Sequence, residues 1–138
     1  MINRELINPQ SIVVVGGSNN VHKPGGRLVR NLLDGKYKGE LYVVNAKEDD
    51  VQGLKSYHSV HDIPETELAI ISIPGPACPE AVDVLAKQKN VKAFIVISAG
   101  FGEETHEGAI LEEQMLKSIN EAGASLILSL IHISEPTR

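Results

Sequence analysis

The chain has 138 residues, 42% of them hydrophobic and 22% charged, an ordinary globular composition with enough length for one domain and its core. The formal net charge is −5 and the 13 lysines and arginines are scattered, which argues against nucleic acid as a partner but leaves room for a small anionic ligand. Neither end carries a long apolar run, so no secretion signal or membrane span is expected; the one cysteine, Cys78, excludes an internal disulfide and a thiolate metal cluster, and fits a reducing, cytoplasmic setting.

The first apolar run, Ser11–Val15 (SIVVV), predicts a buried strand. It leads straight into Gly16, Gly17, Ser18, Asn19 and Asn20, and then into Lys23, Pro24, Gly25, Gly26 and Arg27 at the start of a helix predicted over Gly26–Leu33. Glycines let backbone N–H groups approach an anion, serine and asparagine add donors, and a helix N-terminus adds partial positive charge, so this turn is a candidate phosphate site. Lys23 and Arg27 join it on electrostatic grounds. The competing reading is a glycine turn that serves only to enter the helix. The loop also departs from the dinucleotide pattern G-x-G-x-x-G, because counting from Gly16 puts Ser18 and Val21 where glycines belong.

The second strand, Leu41–Val44, ends in Asn45, Ala46 and Lys47, where an NAD site would usually carry an acidic residue. A lysine there suits a ribose phosphate, as found on coenzyme A or NADP; Glu48, Asp49 and Asp50 follow at once, so a solvated charged loop stands as the alternative. The stretch Ala46–Glu67 is polar and turn-rich, with Gly53 and Pro64, and no secondary structure is assigned to it.

A third strand, Leu68–Ile73, closes on Pro74, Gly75 and Pro76, followed by a helix over Pro79–Lys87 with proline at its first position. The fourth, Ala93–Ile97, closes on Ser98, Ala99 and Gly100, followed by a helix over Ala109–Ala122. Continuous apolar strands alternating with helices predict a doubly wound parallel α/β sheet. In such a sheet the strand carboxyl ends share one edge, so these turns and the glycine loop could wall a single groove. His22, His58, His61 and His106 show no metal or triad spacing and read as surface residues; Glu103 and Glu104 read as helix-start charges, and Cys78 as a small packed residue.

Residues 128–138, LSLIHISEPTR, resemble a translated sequencing adapter, so the native domain is expected to span residues 1–127, with a non-native tail after Ile127. The apolar LILSLI could nevertheless supply a last strand.

The segments NPQSIVVVGGSNNVHKPGGRLVRNLLDGKYKG, LYVVNAKEDDVQGLKSYHSV, LAIISIPGPACPEAVDVL and KAFIVISAGFGEE, taken in order, resemble the Rossmann-like CoA-binding domain of NDP-forming acyl-CoA synthetases, which is related to the succinyl-CoA synthetase alpha subunit. That resemblance implies that Gly17, Ser18, Asn19 and Asn20 contact the phosphates of coenzyme A, with Lys47 near its nucleotide end. It implies that Ile73 and Pro74 line the groove, and that Ser98, Ala99 and Gly100 form the turn near the reactive thiol. Enzymes of that family make an acyl phosphate, pass the phosphoryl group through a histidine to a nucleoside diphosphate and form the thioester. The histidine and the nucleotide-grasp part lie on other domains or subunits, so this stretch is expected to bind without completing the reaction. The alternatives are a stand-alone CoA-binding regulatory module, part of a protein acyltransferase fusion, and an NAD(P)-binding oxidoreductase or redox sensor.

Overall fold

A computed structural model describes residues 10–73, 77–97 and 106–129. Its strands are β1 (Ser11–Val15), β2 (Glu40–Val44), β3 (Asp50–Val51), β4 (Leu54–Tyr57), β5 (Leu68–Ile71), β6 (Ala93–Ile97) and β7 (Ser125–Ser129). Helices α1 (Pro24–Asp34), α2 (Cys78–Gln88) and α3 (His106–Glu121) lie between them. All strands join one sheet in the order β3-β4-β2-β1-β5-β6-β7, parallel at every pairing except the antiparallel β3–β4 contact.

β1 sits at the point where the winding reverses. The chain moves outward through β2 to β4, then returns to β1's other side and continues through β5, β6 and β7. Alternate residues of each central strand therefore feed two cores. Val13, Val15, Ala69, Ile71, Phe94 and Val96 join Val82, Leu85, Met115 and Ile119 from α2 and α3, while Ile12, Val14, Leu68 and Ile70 join Val29 of α1. Burial on both faces is the reason that the strands read as unbroken apolar runs.

The doubly wound parallel sheet predicted from the pattern is therefore what forms, with shifts at element ends. Pro24 starts α1 at its first position, where its missing N–H is no loss. β5 ends at Ile71, two residues short of the predicted Ile73, although Ser72 still donates from its N–H to the Val15 carbonyl at 2.8 Å. β7 pairs with β6 as far as Ile97↔Ser129, two residues past Ile127.

The stretch without a predicted element, between Ala46 and Glu67, holds β3, β4 and a short 3₁₀ turn, Val60–Asp62, capped by Ser59. β3 and β4 form a hairpin whose loop residues, Gln52 and Gly53, have φ of +51° and +90°, the positive values of a type I′ turn. β3 carries the chain back so that β4 can pair with β2 in parallel without a crossover helix. Pairs this short are not evident as period-two alternation.

Helices α2 and α3 are joined on their outer side. Ser118 Oγ lies 2.9 Å from Asp83, and Lys87 Nζ reaches Asp83 at 3.0 Å and Glu121 at 2.8 Å. The Lys87 hydrogen bond, with a further one from Ser118, lowers the Asp83 carboxyl; the bonds to Glu121 and Asp83 raise the Lys87 ammonium. None of the described helices is long and apolar enough to cross a membrane.

Candidate functional site

The carboxyl ends of β1, β2 and β5 lie level with one another, since Val15 is in register with both Val44 and Ile71. Gly16, Asn45 and Ser72 accordingly emerge side by side at the winding reversal, the place where open α/β sheets leave a crevice. The first residue beyond each strand still bonds to a neighbouring strand: Gly16 N–H to the Val44 carbonyl, Asn45 N–H to that of Tyr57 and Ser72 N–H to that of Val15, each at 2.8 Å. The start of each turn is therefore tied to the sheet by a backbone hydrogen bond.

Gly16 leaves β1 with φ of +95°, and a Cβ there would overlap the Ser72 carbonyl. Only glycine accepts both conditions. Beyond it, two carbonyls in succession are held from the β2–β4 side. Asn45 Nδ2 donates to the Gly17 carbonyl at 2.8 Å, and Gln52 Nε2 donates to the Ser18 carbonyl at 2.8 Å.

A trans peptide sets its N–H opposite its C=O. Pinning these carbonyls thus turns the N–H groups of Ser18 and Asn19 away from β2 and β4. Neither they nor the Gly17 N–H find an acceptor among the described residues. The next N–H groups are satisfied locally, Asn20 by Ser18 Oγ and His22 by Asn20 Oδ1, each at 2.9 Å.

Helix α1 begins immediately afterwards with no side-chain cap at Lys23 and no acidic residue in its first turn. Among the described residues, therefore, neither a side-chain cap nor a first-turn acid answers the partial positive charge of its N-terminus. Lys23 and Arg27 stand exposed beside it, with Arg27 Nε donating to the Val21 carbonyl at 3.3 Å. Unpaired backbone donors, an uncapped helix start and nearby cations are the kinds of group that anion sites use.

A profile of the CoA-binding domain family matches residues 10–131. The chain belongs to that family.

Coenzyme A is accordingly the ligand of this CoA-binding domain. The chain is 39% identical over 121 residues to acetate–CoA ligase [ADP-forming] II of Archaeoglobus fulgidus, covering 87% of its own length and 18% of that enzyme's. It is 37% identical over 124 residues to the alpha subunit of the ADP-forming acetate–CoA ligase II of Pyrococcus furiosus, covering 88% of its own length and 26% of the subunit's. A solved structure of the dinucleotide-forming acetyl-coenzyme A synthetase 1 of Ca. Korarchaeum cryptofilum, in complex with phosphate and ADP, superposes with a TM-score of 0.81 at 34% identity, over 90% of this chain and 26% of that one. The chain thus spans about a fifth to a quarter of the length of these relatives.

Within the CoA-binding domain, the loop residues predicted from sequence come together at one edge. Asn45, singled out because it replaces an acid, uses its whole carboxamide on the protein: Nδ2 holds Gly17, and Oδ1 accepts from the N–H groups of Lys47 at 2.8 Å and Glu48 at 3.0 Å. That turn projects Lys47, exposed, from the end of β2. Asn19 likewise spends its carboxamide on the β3–β4 hairpin, donating to the Asp50 carbonyl at 2.9 Å and accepting from Gln52 N–H at 2.7 Å. Ile73 is half-buried against the α2–α3 core, just beyond Ser72. Pro74, Ser98, Ala99 and Gly100 lie outside the described residues, as do Glu103 and Glu104.

Gln52 was missed from sequence, where it stands in a polar stretch with no element assigned. Its one signal is the Gln-Gly pair between Val51 and Leu54, a hairpin-turn pattern too short to stand out. Cys78 is fully buried, its Sγ 3.6 Å from the Ile73 carbonyl, and burial pushes its thiol up to about 11. Such a thiol is a packed apolar group and not a nucleophile. Among the described residues no group of histidine, cysteine, aspartate and glutamate is arranged to hold a metal ion.

Proposed function

We propose that the pyrophosphate of coenzyme A lies on the N–H groups of Gly17, Ser18 and Asn19 and against the N-terminus of α1, with Lys23 and Arg27 adding charge from the rim. The observation carrying this reading is the consecutive pinning of the Gly17 and Ser18 carbonyls, which leaves donors facing a crevice at the winding reversal. Lys47 supplies a cation toward the phosphate on the adenosine ribose, and Gly16 and Asn45 shape the loop without touching ligand. Ser72 and Ile73 continue the groove beyond the loop; Pro74 lines it next, and Ser98, Ala99 and Gly100 carry the pantetheine arm toward its thiol.

The protein to which this domain belongs is, on this reading, a cytoplasmic NDP-forming acyl-CoA synthetase. Acyl activation and phosphoryl transfer would fall to further domains or to a nucleotide-grasp subunit, while this domain positions the thiol donor. Likeness to ADP-forming ligases and a synthetase supports that assignment.

Isothermal titration with coenzyme A, 3′-dephospho-CoA and NADH tests the binding mode. Coenzyme A should bind in preference to NADH, and Lys47→Glu should weaken coenzyme A about tenfold more than dephospho-CoA, the equivalent of roughly 1.4 kcal/mol for one charge contact. Equal losses for both ligands would remove the role given to Lys47. Binding of NADH without coenzyme A would refute the whole assignment.

A further inference from the structure

We infer that Gln52 is a positioning residue of the anion loop, setting through its carboxamide the direction of the Asn19 N–H, one of the backbone donors that hold the pyrophosphate. The inference rests on the reading of that loop given above and adds to it a residue far off in sequence. Gln52 Nε2 donates to two carbonyls at once, Ser18 at 2.8 Å in the loop and Gly26 at 3.0 Å in the first turn of α1. The same nitrogen therefore fixes both the peptide carrying the Asn19 N–H and the distance of that peptide from the helix N-terminus. Rotation of the Ser18–Asn19 peptide would break the first bond and swing the donor out of the crevice.

The surroundings of Gln52 favour this role over simple turn formation. A type I′ turn asks for glycine, asparagine or aspartate at the position Gln52 occupies with φ of +51°, so glutamine is not there for the turn's sake. Its Oε1 is buried with no hydrogen-bond partner, a further local cost. The orientation of the carboxamide is nevertheless settled, because both contacts are carbonyl oxygens and require the nitrogen. Asn19, bonded to Gln52 N–H and to the Asp50 carbonyl, keeps the hairpin and loop together while the Gln52 side chain aims the peptide.

Two variants separate aiming from folding. Gln52→Glu keeps the size but replaces both donors with a carboxylate facing two carbonyl oxygens. Gln52→Gly deletes the side chain and suits the positive φ, so it retains the turn even where the charged variant fails to fold. Each is titrated with coenzyme A, dephospho-CoA and pantetheine, the last lacking the pyrophosphate, and its melting temperature is compared with that of Lys87→Met, which loosens α2 and α3 away from the loop.

The expected result is a loss of about tenfold for coenzyme A and dephospho-CoA alike, with pantetheine unchanged and Gln52→Gly melting no lower than Lys87→Met. Affinity for coenzyme A within twofold of the parent in both folded variants would overturn the inference. So would a parallel loss of all three ligands that tracks melting temperature, since that is what a merely structural residue gives. If the parent chain itself does not prefer coenzyme A to pantetheine, the phosphate reading of the loop fails and the role of Gln52 fails with it; that outcome is told apart by appearing before any substitution is made.

Discussion

At Gly16 the backbone turns out of β1 with φ of +95°, and the space a methyl group would need is taken by the Ser72 carbonyl. Gly16→Ala should therefore cost on the order of 2–4 kcal/mol, from a strained φ together with a backbone shift in the neighbouring loop, and chemical denaturation would measure it. Any surviving folded protein should also bind coenzyme A poorly, because the shift displaces the loop. Cys78 gives a test of a different kind. Its thiol is raised from 9.0 to about 11 by burial, so between those values the unfolded chain loses a proton that the folded chain keeps. Stability from this group is complete below pH 9 and declines as pH rises toward 11. At pH 8 a disulfide reagent should label Cys78 slowly in the native protein and fast in denaturant; equal rates would show that the thiol is accessible.

The tie between α2 and α3 responds to pH at both ends. Asp83 and Glu121 are lowered by Lys87, so their contribution is present above the ordinary carboxylate values of 3.8 and 4.5 and is lost as pH falls below them. Lys87 is raised, so its contribution holds below 10.5 and disappears as pH climbs past its folded value. Lys87→Met should flatten the dependence of melting temperature on pH at these extremes and leave coenzyme A affinity unchanged. Elements of this kind were legible in the sequence to different degrees. Strands covered on both faces announce themselves as apolar runs, and Pro79 marks a helix start, so the sheet and its edge could be read directly, while the first helix begins at Pro24, two residues before the Gly26 read from the pattern. β3 and β4 could not, because a two-residue and a four-residue strand are too short to show a period. The loop's letters gather at one edge in the fold, yet the sequence does not tell which of them are free to meet a ligand and which hold the others in place. Asn19 and Asn45 look like donors to a ligand, and their partners Asp50, Lys47, Glu48 and Gly17 become visible only once the chain is folded.

Across the whole molecule, ligand and fold are linked. A ligand that occupies only the folded state at a hundred times its dissociation constant adds about 2.7 kcal/mol, so saturating coenzyme A should raise the melting temperature by roughly 5–15 °C. Thermal denaturation with and without ligand measures this, and no shift would mean no binding by the isolated chain. The linkage has a particular route. The Gly17 and Ser18 carbonyls are oriented by Asn45 and Gln52, residues 28 and 34 positions away in sequence. The glycine loop is therefore not a portable motif: transplanted with β1 and α1 onto another sheet, it would keep its letters and lose its aim, since the direction of its donors is written in the end of β2 and in a hairpin, both of which the transplant leaves behind.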